Sequence, residues 1–245
     1  MQRLQKLYRA NYLGEEITTE LRWEGSQWIH SKEFIPNRIT NLQQSNRAVI
    51  IGNGSSRNYF NIGFLKNHRG GGQGRGALQT YGCNAVYRDY EPTFLIATGK
   101  DIVDEIANSG YCDDHIVYAH SQSVQNYPGK FYLPPQDPGL HAGALATYLA
   151  CFDGHEKIYY MGFDNSAGDN FNNNVYADTN GYEPTNSHYS DAMWIRTQTY
   201  IMELYNDVEF IRVQPTSGYV CPPEWLGLLN FRQITYQDFV VEVDL

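Results

Sequence analysis

From Arg47 onward the chain alternates short apolar runs with longer amphipathic patterns, and few architectures accept that rhythm. Strand-like runs lie at 48–51, 77–82, 93–97, 116–119, 158–161 and 208–213, with helical patterns at 100–110, 140–154 and 190–207. Strands that alternate with helices build a mostly parallel sheet, because each crossover helix packs back onto a sheet face. The expected fold is therefore α/β, a Rossmann-like mostly parallel sheet with helices on both faces. In such a sheet a ligand lies beyond the carboxyl ends of the strands. The residues just after each strand are thus the ones to weigh.

Residues 1–45 have mixed polarity and several aromatics, and read as an N-terminal extension packed on a main domain over 46–245. Two segments break the rhythm: the glycine-rich basic loop "NHRGGGQGRG" at 67–76, and a polar, asparagine-rich stretch over 164–187. Loops of that length in a compact domain are functional lids or disordered segments. The second is expected to be a lid over about 165–187.

The formal charge of −9 argues against a general nucleic-acid binder, which needs a basic surface to displace counterions. No apolar stretch spans a bilayer, and the opening "MQRLQKLYRANYLGEE" lacks the apolar region of a signal peptide. Cys83, Cys112, Cys151 and Cys221 lie far apart without a CxxC pair, so neither structural zinc nor a disulfide framework is expected. A cytoplasmic, reducing setting fits that usage.

Four motifs follow strand ends or the lid. Gly52-Asn53-Gly54-Ser55-Ser56 trails the first apolar run. Glycines let backbone N–H groups approach an anion and serines add hydroxyls, although a plain tight turn uses the same residues. No Gly-Lys-Ser/Thr follows, and Arg57 stands where a dinucleotide loop has its third glycine. Residues 58–66 read as a short helix whose N-terminus would add to an anion site. Asn84, after the second strand, suits a base, ribose or sugar, or is a turn asparagine. Asp164, after "IYYMGF", can orient a hydroxyl, cap a turn or bind a metal. His188, just before the last long helical pattern, has the pKa range of a general base, or is a surface histidine. No spacing supports a metal site or a hydrolase triad.

Taken in order, these motifs resemble the bacterial sialyltransferases that use CMP-activated sialic acid to decorate lipooligosaccharide. That family has a G-N-G-P-S loop after its first strand; here it reads Gly52-Asn53-Gly54-Ser55-Ser56. "GCNAVY" resembles its second motif, "IYYMGFD" its G-I/V-D strand end, and Asn186-Ser187-His188-Tyr189 its N-S-H-Y. The resemblance covers roughly 47–215. It implies His188 as general base and a donor site of Gly52, Asn53, Gly54, Ser55, Ser56, Asn84, Asp164, Asn186 and Ser187. It also implies lid tyrosines, Tyr176 or Tyr182, holding the leaving phosphate. The activity implied is metal-independent glycosyl transfer from a CMP-sugar to a glycan or other hydroxyl acceptor, with no other cofactor and with homo-oligomerisation left open.

The chain departs from that family in reading Pro138-Gly139-Leu140-His141-Ala142-Gly143 where the family holds the donor sugar with arginine, threonine and serine. His141 is the one substitute there, so the donor sugar and retention of catalysis stay open. A more distant resemblance to archaeal-type pterin pyrophosphokinases would imply ATP and magnesium near Asp101 and Asp164. A retained, non-catalytic nucleotide pocket is the third reading.

Overall fold

A computed structural model describes residues 3–7, 18–24, 26–33, 45–67, 78–134, 137–164, 173–183 and 191–245. The N-terminal region carries a sheet of its own. Strands β1 (Arg3–Leu7), β2 (Thr18–Glu24) and β3 (Gln27–Glu33) form an antiparallel meander in that order.

The main sheet is parallel throughout. Its strands are β4 (Arg47–Ile51), β5 (Leu78–Cys83), β6 (Phe94–Ala97), β7 (Val117–Ala119), β8 (Lys157–Met161), β9 (Glu209–Gln214) and β10 (Phe231–Thr235). They stand in the order β10-β9-β8-β4-β5-β6-β7. The helices are α1 (Lys100–Ser109), α2 (Tyr111–Asp114), α3 (Ser121–Asn126), α4 (Ala142–Phe152), α5 (Asp191–Leu204), α6 (Pro223–Leu226) and α7 (Tyr236–Val243). This is the expected Rossmann-like α/β architecture.

The strands are apolar on both faces because both are covered. Ala48, Ile50, Ile158 and Tyr160 pack with α4 and with Ile201 and Met202 of α5. Val49, Ile51, Tyr159 and Met161 face the other way, toward Leu65, α1 and Phe239 of α7. Helix α4, "AGALATYLACF", is buried almost throughout, which is why it lacks a polar stripe. Helix α7 opens on a capping box in which Thr235 and Asp238 satisfy each other's backbone N–H groups.

One local expectation is corrected. Residues 58–66 are not a single short helix: two 3-10 stretches, Ser55–Tyr59 and Ile62–Asn67, occupy the segment. The anion-attracting end of an α-helix is therefore missing after β4.

The chain leaves β4 toward β7 on one side, then returns beside β4 with β8 and continues outward to β10. The order reverses between β4 and β8, and the carboxyl ends beside that reversal are where the crevice of an open α/β sheet lies. No helix among the described residues is long and apolar enough to cross a membrane.

Candidate functional site

The loop after β4 and the turn after β8 form the two lips of the crevice, and they are zipped together. The N–H of Gly52 donates to the Met161 carbonyl (2.8 Å) and that of Gly54 to the Gly162 carbonyl (2.9 Å). The Ser56 N–H donates to Asp164 Oδ2 (2.8 Å). Glycine is required for this approach. A Cβ on Gly52 would stand 2.6 Å from the Gly162 carbonyl oxygen, and one on Gly54 would stand 2.5 Å from Asp164 Oδ2. Gly162 itself has φ +71°, which other residues adopt at a cost.

This zipper changes what the loop offers. Of the five N–H groups of residues 52–56, those of Gly52, Gly54, Ser55 and Ser56 already donate within the protein, Ser55 to Asn173 Oδ1. The open anion cradle anticipated from the glycines is therefore closed. What remains is mainly acceptor capacity: Asn53 Oδ1, Ser56 Oγ and Asp164 Oδ1 are buried without a partner among the described residues. Helix α7 braces the same loop, with the Tyr236 hydroxyl donating to the Ser56 carbonyl (3.1 Å) and its ring stacked on Phe60 (centroids 5.1 Å apart).

On the β5 side, Asn84 sits at φ +51°, and its Oδ1 accepts from the Thr98 N–H (3.0 Å), joining the ends of β5 and β6. Residues 173–183 dock over these ends. Tyr182 accepts from Asn53 Nδ2 (2.9 Å), and burial pushes its hydroxyl pKa up to about 12. The Tyr176 hydroxyl donates to Asp89 Oδ1 and accepts from Arg57 Nη2, each at 2.6 Å. Burial is again the main cause raising its pKa. Arg57 is buried and also binds Asp89 Oδ2 (2.8 Å) and the Gly52 carbonyl (3.2 Å). Further out, Arg88 forks onto both oxygens of Glu105, which also accepts from Asn180 Nδ2. Hydrogen bonding from Arg88 holds the Glu105 carboxyl down to about 2. Both tyrosines expected to hold a leaving phosphate thus spend their hydroxyls on the protein.

On the β9 side stands Arg212, fully buried in the strand. Its Nε donates to the Phe163 carbonyl (2.8 Å), Nη2 to the Asp164 carbonyl (2.7 Å), and Nη1 to the Val220 carbonyl (2.8 Å) and Gln233 Oε1 (3.1 Å). Phe163 fills the space between the lips and α4. Cβ atoms built on Gly52 and Gly143 would lie 3.1 and 3.2 Å from its ring. His141 caps α4, its Nδ1 accepting from the Ala144 N–H (3.4 Å). That bond places the ring proton on Nε2, which is buried and unpartnered among the described residues. Burial lowers the His141 pKa to about 4, so the ring is neutral near pH 7.

The structure thus brings Gly52, Asn53, Gly54, Ser55, Ser56, Asn84, Asp164, Tyr176 and Tyr182 to one end of the sheet. Asn186, Ser187 and His188 lie outside the described residues, as does the expected lid except for 173–183. Sequence reasoning missed Arg57, Asp89, Phe163 and Arg212 as parts of the site. Arg212 had a signal: a lone cation inside the apolar run "EFIRVQ" must be satisfied somewhere. Searches against protein-family models, curated proteins and solved structures find no match to this chain.

Proposed function

We propose that this chain binds a CMP-activated sugar at the crevice between β4 and β8 and transfers the sugar to an acceptor hydroxyl. The observation that carries the reading is the junction of separate motifs at the switch point. Asn53 meets Tyr182, Ser56 meets Asp164, and Asn84 ties the neighbouring strand end. In the transfer, His188 takes the acceptor's proton as its oxygen attacks the anomeric carbon, and the bond from that carbon to the phosphate oxygen breaks. CMP leaves with the bonding electrons. A positioned base of this kind is worth about 10²–10⁴-fold in rate. No metal is required by this chemistry, and the acceptor is a glycan or another hydroxyl compound.

The test measures CMP affinity and sugar transfer on the same preparation. His188→Ala should lose most transfer while keeping CMP affinity, because the base faces the acceptor. Transfer at the original rate would remove His188 from the mechanism. A second reading, a nucleotide pocket without catalysis, is favoured by the Tyr176 and Tyr182 hydroxyls being engaged by the protein. Its signature is CMP binding with no turnover of any CMP-sugar. A thermal shift given only by ATP with magnesium would favour pyrophosphoryl transfer instead.

A further inference from the structure

We infer that two copies of this chain pair through the exposed stripe of α5, antiparallel about a two-fold axis that passes beside Tyr200. The pairing is independent of what the crevice binds.

Helix α5 has one face on the sheet and one in solvent. Gln198, Ile201 and Met202 are buried. Arg196, Tyr200, Glu203 and Leu204 are exposed, Tyr200 by 62% and Leu204 by 57%. Their spacing of three and four residues sets them in one row along the helix. Helix α6 and the turn after it widen that row into a patch. The Trp225 indole donates to Thr199 Oγ1 (3.1 Å), and Asn230 Nδ2 donates to the Met202 (3.0 Å) and Tyr205 (3.2 Å) carbonyls. These bonds hold Leu226, 71% exposed, and the fully exposed Leu229 beside the second half of α5. Most of the large apolar side chains exposed among the described residues belong to α5 and this turn. Single exposed apolar residues need no partner, whereas a contiguous group marks a contact surface.

Charge decides the occupant. Arg196 and Glu203 stand on either side of Tyr200, about 10 Å apart along the helix axis. No residue of opposite charge lies three or four places from either of them, and neither enters an ion pair among the described residues. A stripe that reads positive, aromatic, negative is its own complement when reversed. Antiparallel pairing about Tyr200 brings each Arg196 to the partner's Glu203 and brings the two Tyr200 rings together. Leu204 then falls opposite the aliphatic stem of the partner's Arg196. The contact is isologous and closes on itself, and parallel pairing would set like charges against each other. An anionic lipid surface fits poorly, since Glu203, the exposed Asp207 and a net charge of −9 all repel it. Helix α5 links the parallel strands β8 and β9 and so runs against them. A two-fold across it points the carboxyl ends of the two sheets in opposite directions, which leaves both candidate sites clear of the contact.

Sedimentation equilibrium of the full chain over a concentration series is the test. The native chain should dimerise reversibly. Arg196→Glu makes each attractive contact repulsive and should weaken dimerisation by about tenfold or more, as should Glu203→Arg. The double variant Arg196→Glu, Glu203→Arg should restore it, because the swap recreates the same contacts in reverse. Tyr200→Ala should weaken it by about tenfold, as expected for an aromatic at the centre of an interface. All three positions are exposed, where substitution leaves the fold intact, and thermal melts check each variant. A native chain that stays monomeric at every concentration overturns the proposal. So does a dimer that neither Arg196→Glu nor Tyr200→Ala weakens, which would lie on another surface. A dimer weakened by either reversal but not restored by the swap overturns it too, since a different surface would then face α5.

Discussion

Two buried arginines hold the two lips of the crevice, and they are neutralised in different ways. Arg57 grips the β4 lip through the Gly52 carbonyl and answers to a carboxylate, Asp89, whose side chain is 50% exposed. Arg212 grips the β8 lip through the Phe163 and Asp164 carbonyls, and its hydrogen-bond partners among the described residues are neutral. Burial lowers the Arg212 pKa, opposed in part by the Asp164 charge nearby. The first arrangement is an ion pair with one foot in water. The second is a cation dissolved in protein dipoles. Position in the sheet explains the difference. Arg57 leaves β4 through a surface loop, whereas Arg212 is built into a strand covered on both faces.

The largest expected effect breaks this comparison at its stronger side. Arg212→Met takes the donor from three carbonyls and from Gln233 and should cost about 4 kcal/mol in urea unfolding, the range for removing one member of a buried charged network. Arg212→Lys should recover only part of that, since a point charge cannot fork among four acceptors. Arg57→Met should cost about 2 kcal/mol, because water can solvate the half-exposed Asp89 left behind. Equal losses at the two arginines would mean that the neutral and ionic arrangements are energetically alike.

The smallest effect sharpens the comparison through pH. His141 and His155 have folded pKa values lowered by burial to about 4 and about 3. Below the unfolded value near 6.5 the unfolded chain binds protons that the folded chain refuses. Their stabilisation is present above that pH and is lost as pH falls toward those folded values, at about 1.4 kcal/mol per pH unit for each histidine. Glu105, lowered to about 2, behaves likewise from 4.5 downward. The α4 wall beside the β8 lip should therefore weaken in acid before the 173–183 segment does. His141→Asn keeps a good helix cap without titrating, so its melting temperature should fall less than the native protein's between pH 6.5 and 4. Identical pH profiles would show that the His141 ring is not held neutral.

Strands β4, β6 and β8 were legible because burial on both faces leaves a nearly continuous apolar run. Strand β10 was not. It lies at the sheet edge, half-buried along its length, and "FRQIT" mixes polar and apolar residues accordingly. At the candidate site a close approach was legible, but not what is approached. Gly52 and Gly54 announced a close approach, and the approach is to the β8 turn. Gly54→Val would drive a side chain into Asp164 and the Gly162 carbonyl. Arg57 registered only as a missing third glycine, since nothing in a single sequence pairs it with Asp89 or with Tyr176, 119 positions away.

The brace of Tyr236 on the Ser56 carbonyl has a consequence in time. It joins residues 180 positions apart. Closing so long a loop is entropically costly, and contacts of this range form late. On a ribosome adding about 5–20 residues per second, the β4 loop emerges roughly 10–40 s before the helix that braces it. Until then Phe60 lacks the rings of Tyr236 and Phe239 that cover it. The crevice is thus among the last features to mature in a chain whose first crevice loop is made early, and this is the interval in which a nascent chain would most need shielding.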